Sequence, residues 1–204
     1  MTLILVIIIS AVSISAFTRP QLFEKLQMNP WLVVHRKEYH RLLTHGFVHA
    51  DWMHLIINMM VLYFFGTAVE KYFAGLEEAD IIRFPEMHYL LLFFSSMILA
   101  TLSTIKKYRN VQHYNSVGAS GAVSAFVFAS IFFDPWQTLL VYFIPLPGIL
   151  FGVAYLVYSH YMSRRSTDNI NHDAHFIGAV AGFFYPVIIA PGLFSFFISQ
   201  LLHP

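Results

Sequence analysis

Three groups of residues in this 204-residue chain have the types and spacing for acyl transfer at a serine. Ser120 lies in Gly118-Ala119-Ser120-Gly121, His175 is followed by Gly178 and Gly182, and His54 and Asn58 stand four residues apart. A serine hydroxyl is a nucleophile only when a base lies within hydrogen-bond reach, and His175 is the candidate base. The tetrahedral intermediate needs N–H donors for its oxyanion, which His54 and Asn58 could supply from one helix face. The usual third member, a carboxylate on the base, is missing: Asp173 is two residues before His175, on roughly the opposite helix face. The expectation is a Ser–His dyad, working with no metal and no cofactor.

The elements that must position these groups are membrane helices. Charged residues are 11% of the chain, against about 25% in a soluble domain. Hydrophobic residues reach 57% and the mean hydropathy is +0.62. A net charge of +1 with 12 Lys and Arg leaves no basic face for nucleic acid. The absence of cysteine excludes a thiolate nucleophile, a disulfide framework and cysteine-based metal sites.

A membrane helix needs about 20 mostly apolar residues, and six segments qualify or nearly do. The first is Thr2–Phe17, read as an uncleaved span because no basic start precedes it. The others run from about Met53 to Phe73, Met87 to Ile105, Val117 to Phe133, Thr138 to Tyr161 and Ala174 to Leu202. The fifth should kink or loosen at Ile144-Pro145-Leu146-Pro147-Gly148, and the sixth is interrupted by Pro186 and by Pro191-Gly192. Residues 18–52 mix Trp31, Tyr39 and Trp52 with five Lys and Arg, a composition for the membrane interface and partial embedding. The whole, residues 1–204, reads as one all-α membrane domain of six helices.

Spacing also says how the groups meet. Helices with full-sized side chains pack about 8–10 Å apart, too far for a short serine and a histidine. Gly178 and Gly182, three and seven residues past His175, share its face. Together with Gly118 and Gly121 they permit close backbone approach. Ser120, four residues past Ser116, is predicted about 6 Å below the start of its helix.

Blander readings exist for each residue. Ser120 alone would be a packing residue of a Gly/Ala-rich helix. His45 and His49, or His172 and His175, have helical spacings suited to a metal, but no HExxH occurs, and Gly46 and Asp51 interrupt a helix through 45–54. Hydrogen bonding within the first connection and the site's water cavity is the preferred reading for His45 and His49. The other histidines fall near span ends, and Glu70 reads as a helix-end ion pair or cap. Position 122 is alanine, which excludes a GxSxG elbow.

In this arrangement the sequence resembles the rhomboid family of intramembrane serine proteases. Gly118-Ala119-Ser120-Gly121 is similar to its GxSG motif, and Ala174-His175-Phe176-Ile177-Gly178-Ala179-Val180-Ala181-Gly182 to its AHxxGxxxG motif. His54-Leu55-Ile56-Ile57-Asn58 resembles its HxxxN, and Ala68-Val69-Glu70-Lys71 the segment closing that helix. The resemblance implies a six-transmembrane-helix rhomboid-like bundle with Ser120 as nucleophile and His175 as base. His54, Asn58 and the Ser120 N–H would bind the oxyanion, Arg41 would belong to a membrane-embedded first loop, and span five would be the substrate gate. Substrates would be transmembrane segments of membrane proteins in the lipid bilayer, cut near small residues. The setting would be the cell membrane, with the site opening to the extracytoplasmic side.

The chain departs from the family at Ser124, where some members stack a tyrosine on the catalytic histidine. Ten Lys and Arg fall in the first, third and fifth connections and only Lys71 and Arg83 in the others, the reverse of that orientation under the positive-inside rule. Two rival readings are a catalytically inactive relative that binds membrane helices and a histidine-liganded metal-binding membrane protein.

Overall fold

The computed structural model describes residues 1–141, 143–165, 168 and 170–203. Six helices form the bundle: α1 (Thr2–Phe17), α5 (Trp52–Glu78), α6 (Pro85–Tyr108), α7 (Ser120–Phe133), α8 (Gly148–Arg165) and α9 (His172–Ile189). The first connection folds into three short helices, α2 (Pro20–Leu26), α3 (Pro30–Arg36) and α4 (Arg41–Thr44), and a 3-10 turn at His45–Phe47. A last helix, α10, spans Leu193–Leu202.

Helix α7 is apolar on every side, the pattern of a helix enclosed by others. Every residue from Gly121 to Phe133 is buried. Helices α5, α6 and α9 surround it and are long and apolar enough to cross a membrane. Their outward faces carry exposed Met60, Phe64, Leu91 and Ile188, a surface solvated by lipid rather than water. At 14 residues α7 is about 21 Å long, and α1 at 16 residues is also short.

Three sequence expectations change. Span four starts at Ser120 rather than Val117, because Gly118 takes a left-handed φ of 106° that ends helical geometry before it. Ser120 is therefore the first helical residue, rather than one about 6 Å inside the helix.

Span five is not one kinked helix. Thr138–Val141 (β1) and Ile144–Pro147 (β2) pair antiparallel, Thr138 opposite Pro147 and Val141 opposite Ile144, and α8 begins only at Gly148. Prolines 145 and 147 lock their own φ and push residues 144 and 146 out of the α region, so the segment extends. Tyr142 of that span lies outside the described residues.

Span six is two helices. Pro186 stays inside α9, while Ala190, ahead of Pro191, is extended at φ −149° and ψ 97° and ends it.

The closest crossing is α7 on α9. A Cβ added to Gly178 would overlap the Gly121 carbonyl oxygen, and one added to Gly182 would overlap the Ala125 backbone. The third side of Gly121 faces Ala100 of α6, whose Cβ would lie 2.7 Å from a Cβ at 121. Gly182→Ala is therefore expected to cost about 3 kcal/mol or more, at the upper end of overpacking. Gly75→Ala, in open space on α5, should gain up to about 1 kcal/mol. Unfolding curves in detergent micelles read both.

Candidate active site

The crossing of α7 and α9 brings the two predicted reacting groups into contact. The Ser120 Oγ lies 2.7 Å from His175 Nε2. In the tautomer with its proton on Nδ1, the imidazole accepts from the hydroxyl. His175 lies in the first turn of α9, whose start is fixed twice by Asn171. The Asn171 side chain accepts from the Ala174 N–H at 3.1 Å and donates to Thr104 Oγ1 of α6 at 2.7 Å. Asp173 pairs with Lys107 at 3.3 Å and is not bonded to His175.

The segment before Ser120 is held by the first connection. The Gly118 N–H donates to the His45 carbonyl at 2.9 Å, and the Ala119 N–H reaches His49 Nε2 at 3.4 Å. These bonds fix a tautomer. Ser13 Oγ donates to the Phe47 carbonyl at 2.9 Å, so its contact with His49 Nδ1, also 2.9 Å, is accepted from the ring. His49 thus carries its proton on Nδ1 and offers its Nε2 lone pair to Ala119. Both ring nitrogens are used, and the side chain is fully buried.

Arg41 secures the other end of the connection. It is buried, donates to the carbonyls of Glu24 and Gln27 at 2.7 Å, and pairs with Glu38 at 2.7 Å. His45 Nδ1 meets the Arg41 carbonyl at 2.9 Å.

His54 lies over Gly118: a Cβ there would stand 2.7 Å from its Cε1 and 2.8 Å from its Nε2. Glycine at 118 thus meets two demands, the positive φ and the imidazole above it. Asp51 caps α5 by accepting from the His54 N–H at 2.8 Å. Asn58 is buried, and one of its amide hydrogens goes to the His54 carbonyl at 2.8 Å. The N–H groups of the first turn of α7, that of Ser120 among them, have no partner within the helix and sit at its positive end. A pocket of about 30 Å³ adjoins Ser120 and is walled by His45, Thr101, Thr104, Ser116 and Asn171, among others. That is room for one water among polar walls. A larger groove of about 350 Å³ runs along α5 from Tyr63 to Tyr72 and contains none of these residues.

Three features escaped the sequence reading. Ser124 shares a 2.7 Å hydrogen bond with the Tyr155 hydroxyl of α8. His172 is clamped by Asp168 through a 3.1 Å contact. Ser13 of α1 holds His49. Only the second had a sequence signal, the i, i+4 spacing of Asp168 and His172. Glu70 pairs with the chain's amino group and with Thr2 at the opposite end of the bundle; it is an ion pair, but not a helix-end one, because α5 continues to Glu78.

A family model for the rhomboid domain matches residues 36–192. The chain belongs to the rhomboid family. It is also 30% identical over 173 residues to RHOMBOID-like protein 12, mitochondrial, of Arabidopsis thaliana, an alignment covering 77% of this chain and 48% of the relative. The chain thus spans about half the length of the curated relative it matches. Rhomboid proteins comprise intramembrane proteases and inactive forms, and this rhomboid is an integral membrane protein built from apolar helices.

Burial pushes His45 down to about 4 and His49 to about 3, against about 6.5 in an unfolded chain. Between those values the unfolded chain holds more protons than the folded one. Stability is therefore intact above about pH 6.5 and is lost as the pH falls from there toward 4 and 3. Each histidine contributes a slope of up to about 1.4 kcal/mol per pH unit. Unfolding temperature followed against pH should show this slope, and His49→Gln should flatten it.

Proposed function

We propose that this rhomboid is a serine endopeptidase that cleaves transmembrane segments of membrane-protein substrates through the Ser120–His175 dyad. The observation that supports it best is the 2.7 Å contact between Ser120 Oγ and His175 Nε2. It lies at the mouth of a helix crossing that only glycines permit.

His175 takes the Ser120 proton as the hydroxyl oxygen attacks the scissile carbonyl. The resulting oxyanion is met by the Ser120 N–H at the start of α7, by His54 and by the second amide hydrogen of Asn58. His175 then gives its proton to the leaving amine. A water deprotonated by His175 hydrolyses the acyl-enzyme and frees Ser120. The pocket beside Ser120 is a place to hold that water. Gly118, Gly121, Gly178 and Gly182 act through their small size. Helix α8, which has three buried residues, is the element a substrate helix would displace to enter.

An inactive rhomboid-like escort of membrane helices would be expected to lack Ser120 or His175, and both are present. A histidine-liganded metal site is disfavoured because His49 spends both ring nitrogens on protein partners and His45 Nδ1 faces a carbonyl.

Purified protein in detergent is expected to take a fluorophosphonate probe. Ser120→Ala and His175→Ala should not, with cleavage of a model transmembrane substrate falling by about 10³-fold or more. Activity should drop toward acid pH as the base becomes protonated; a flat acidic profile would remove His175 from that role. As the family implies, the opening is assigned to the extracytoplasmic face of the cell membrane. The chain has no cysteine, so His113→Cys at that end gives one thiol. An impermeant maleimide should label it in intact cells, and labelling only after lysis would reverse the orientation.

A further inference from the structure

His175 has one side-chain hydrogen bond among the described residues, the one to Ser120. Position 124 offers it no aromatic ring. A base held at a single nitrogen can swing about that bond, so another group must fix its plane. One turn back on α9 stands His172, with ring centroids 6.2 Å apart and planes at 73°. His172 is only 4% exposed although it opens the helix. Its Nε2 lies 3.1 Å from both carboxylate oxygens of Asp168, and Tyr158 of α8 meets its ring edge-on at 5.6 Å. The base therefore backs onto a buried imidazole that is itself clamped by a carboxylate at the rim.

Other charged and titratable groups around His175 do not play this part. Lys107 and Asp173 pair with each other at 3.3 Å. His54 lies on the far side, over Gly118. Asp168 is the carboxylate left on the His172 side of the base.

We propose that His172, clamped by Asp168, is the positioning residue for His175, and that the Asp168 carboxylate steadies the imidazolium formed when His175 takes the Ser120 proton. The proton moves from Ser120 Oγ to His175 Nε2 and no further, so His172 and Asp168 keep their own protonation. The pair supplies from the next turn of α9 the charge and the wall that a triad carboxylate would supply in direct contact. This rests on the reading of Ser120 and His175 as the dyad.

The test compares wild type, Asp168→Asn, Asp168→Glu and His172→Phe in detergent. It reads fluorophosphonate labelling, cleavage of a model transmembrane substrate across pH, and unfolding temperature. Asp168→Asn keeps an acceptor for His172 and removes the charge. It should lower kcat about tenfold with KM unchanged and move the acidic limb of the profile to lower pH, with Asp168→Glu restoring both. His172→Phe keeps the wall and the Asp168 charge but loses the clamp, so it should lower kcat like Asp168→Asn without moving the acidic limb lower. In Asp168→Asn, an unmoved acidic limb with unchanged kcat overturns the proposal. So does a loss of activity that follows unfolding temperature while the limb stays in place. A wild type that takes no probe overturns the dyad reading itself, which the variants do not touch.

Discussion

The site depends on one steric fact, the contact of α7 and α9 backbone against backbone. Serine has one carbon between its hydroxyl and the main chain, so a base on a neighbouring helix can reach it only if the two helix axes are unusually close. Glycines 178 and 182 make that approach possible against Gly121 and Ala125, and Ala100 closes the third side. In lipid no hydrophobic force draws two apolar helices together, and close van der Waals packing between small residues takes its place. The surfaces that join the helices are thus the same ones that align Ser120 with His175.

A second layer of constraint runs through the first connection. Irregular backbone buried in a protein is tolerated only where its polar groups are satisfied. Here they are: Arg41 collects the carbonyls of Glu24 and Gln27, His45 returns to the Arg41 carbonyl and receives Gly118, and His49 joins Ser13 to Ala119. The chain's dense histidine content has its explanation in part here. A neutral imidazole is at once a donor and an acceptor, so it can couple two backbone segments in a dry interior without a net charge.

The helices and the contact of Ser120 with His175 could be read from the sequence because each rests on local pattern. Apolar runs gave the bundle, and offsets of three and seven from His175 gave the packing face. Positions 144–148 were misread, because hydropathy cannot distinguish a proline-kinked helix from a short apolar hairpin. The start of α7 was misplaced by three residues because the positive φ of Gly118 is fixed by His54, His45 and His49, all far away in sequence. Ser124 and Tyr155, 31 residues apart and on different helices, carried no local signal at all. Apart from the Asp168–His172 pair, the polar contacts that escaped the reading join elements whose mutual register only the folded bundle determines.

The shortness of α1 has a consequence in the surrounding lipid. At 16 residues it is about 24 Å long, less than a hydrocarbon layer of about 30 Å, and its outward face carries exposed Leu3, Ile4, Ile7 and Ile8. A short wall of this kind draws the bilayer surface down toward it, at a modest cost per ångström of mismatch. Any neighbouring membrane helix fitted to the undisturbed bilayer would then find its terminal turn above the local lipid surface. Its last carbonyls, which have no partners within the helix, would already be hydrated and that turn ready to fray. Part of the work of loosening the end of a neighbouring helix would be done by the shape of the membrane.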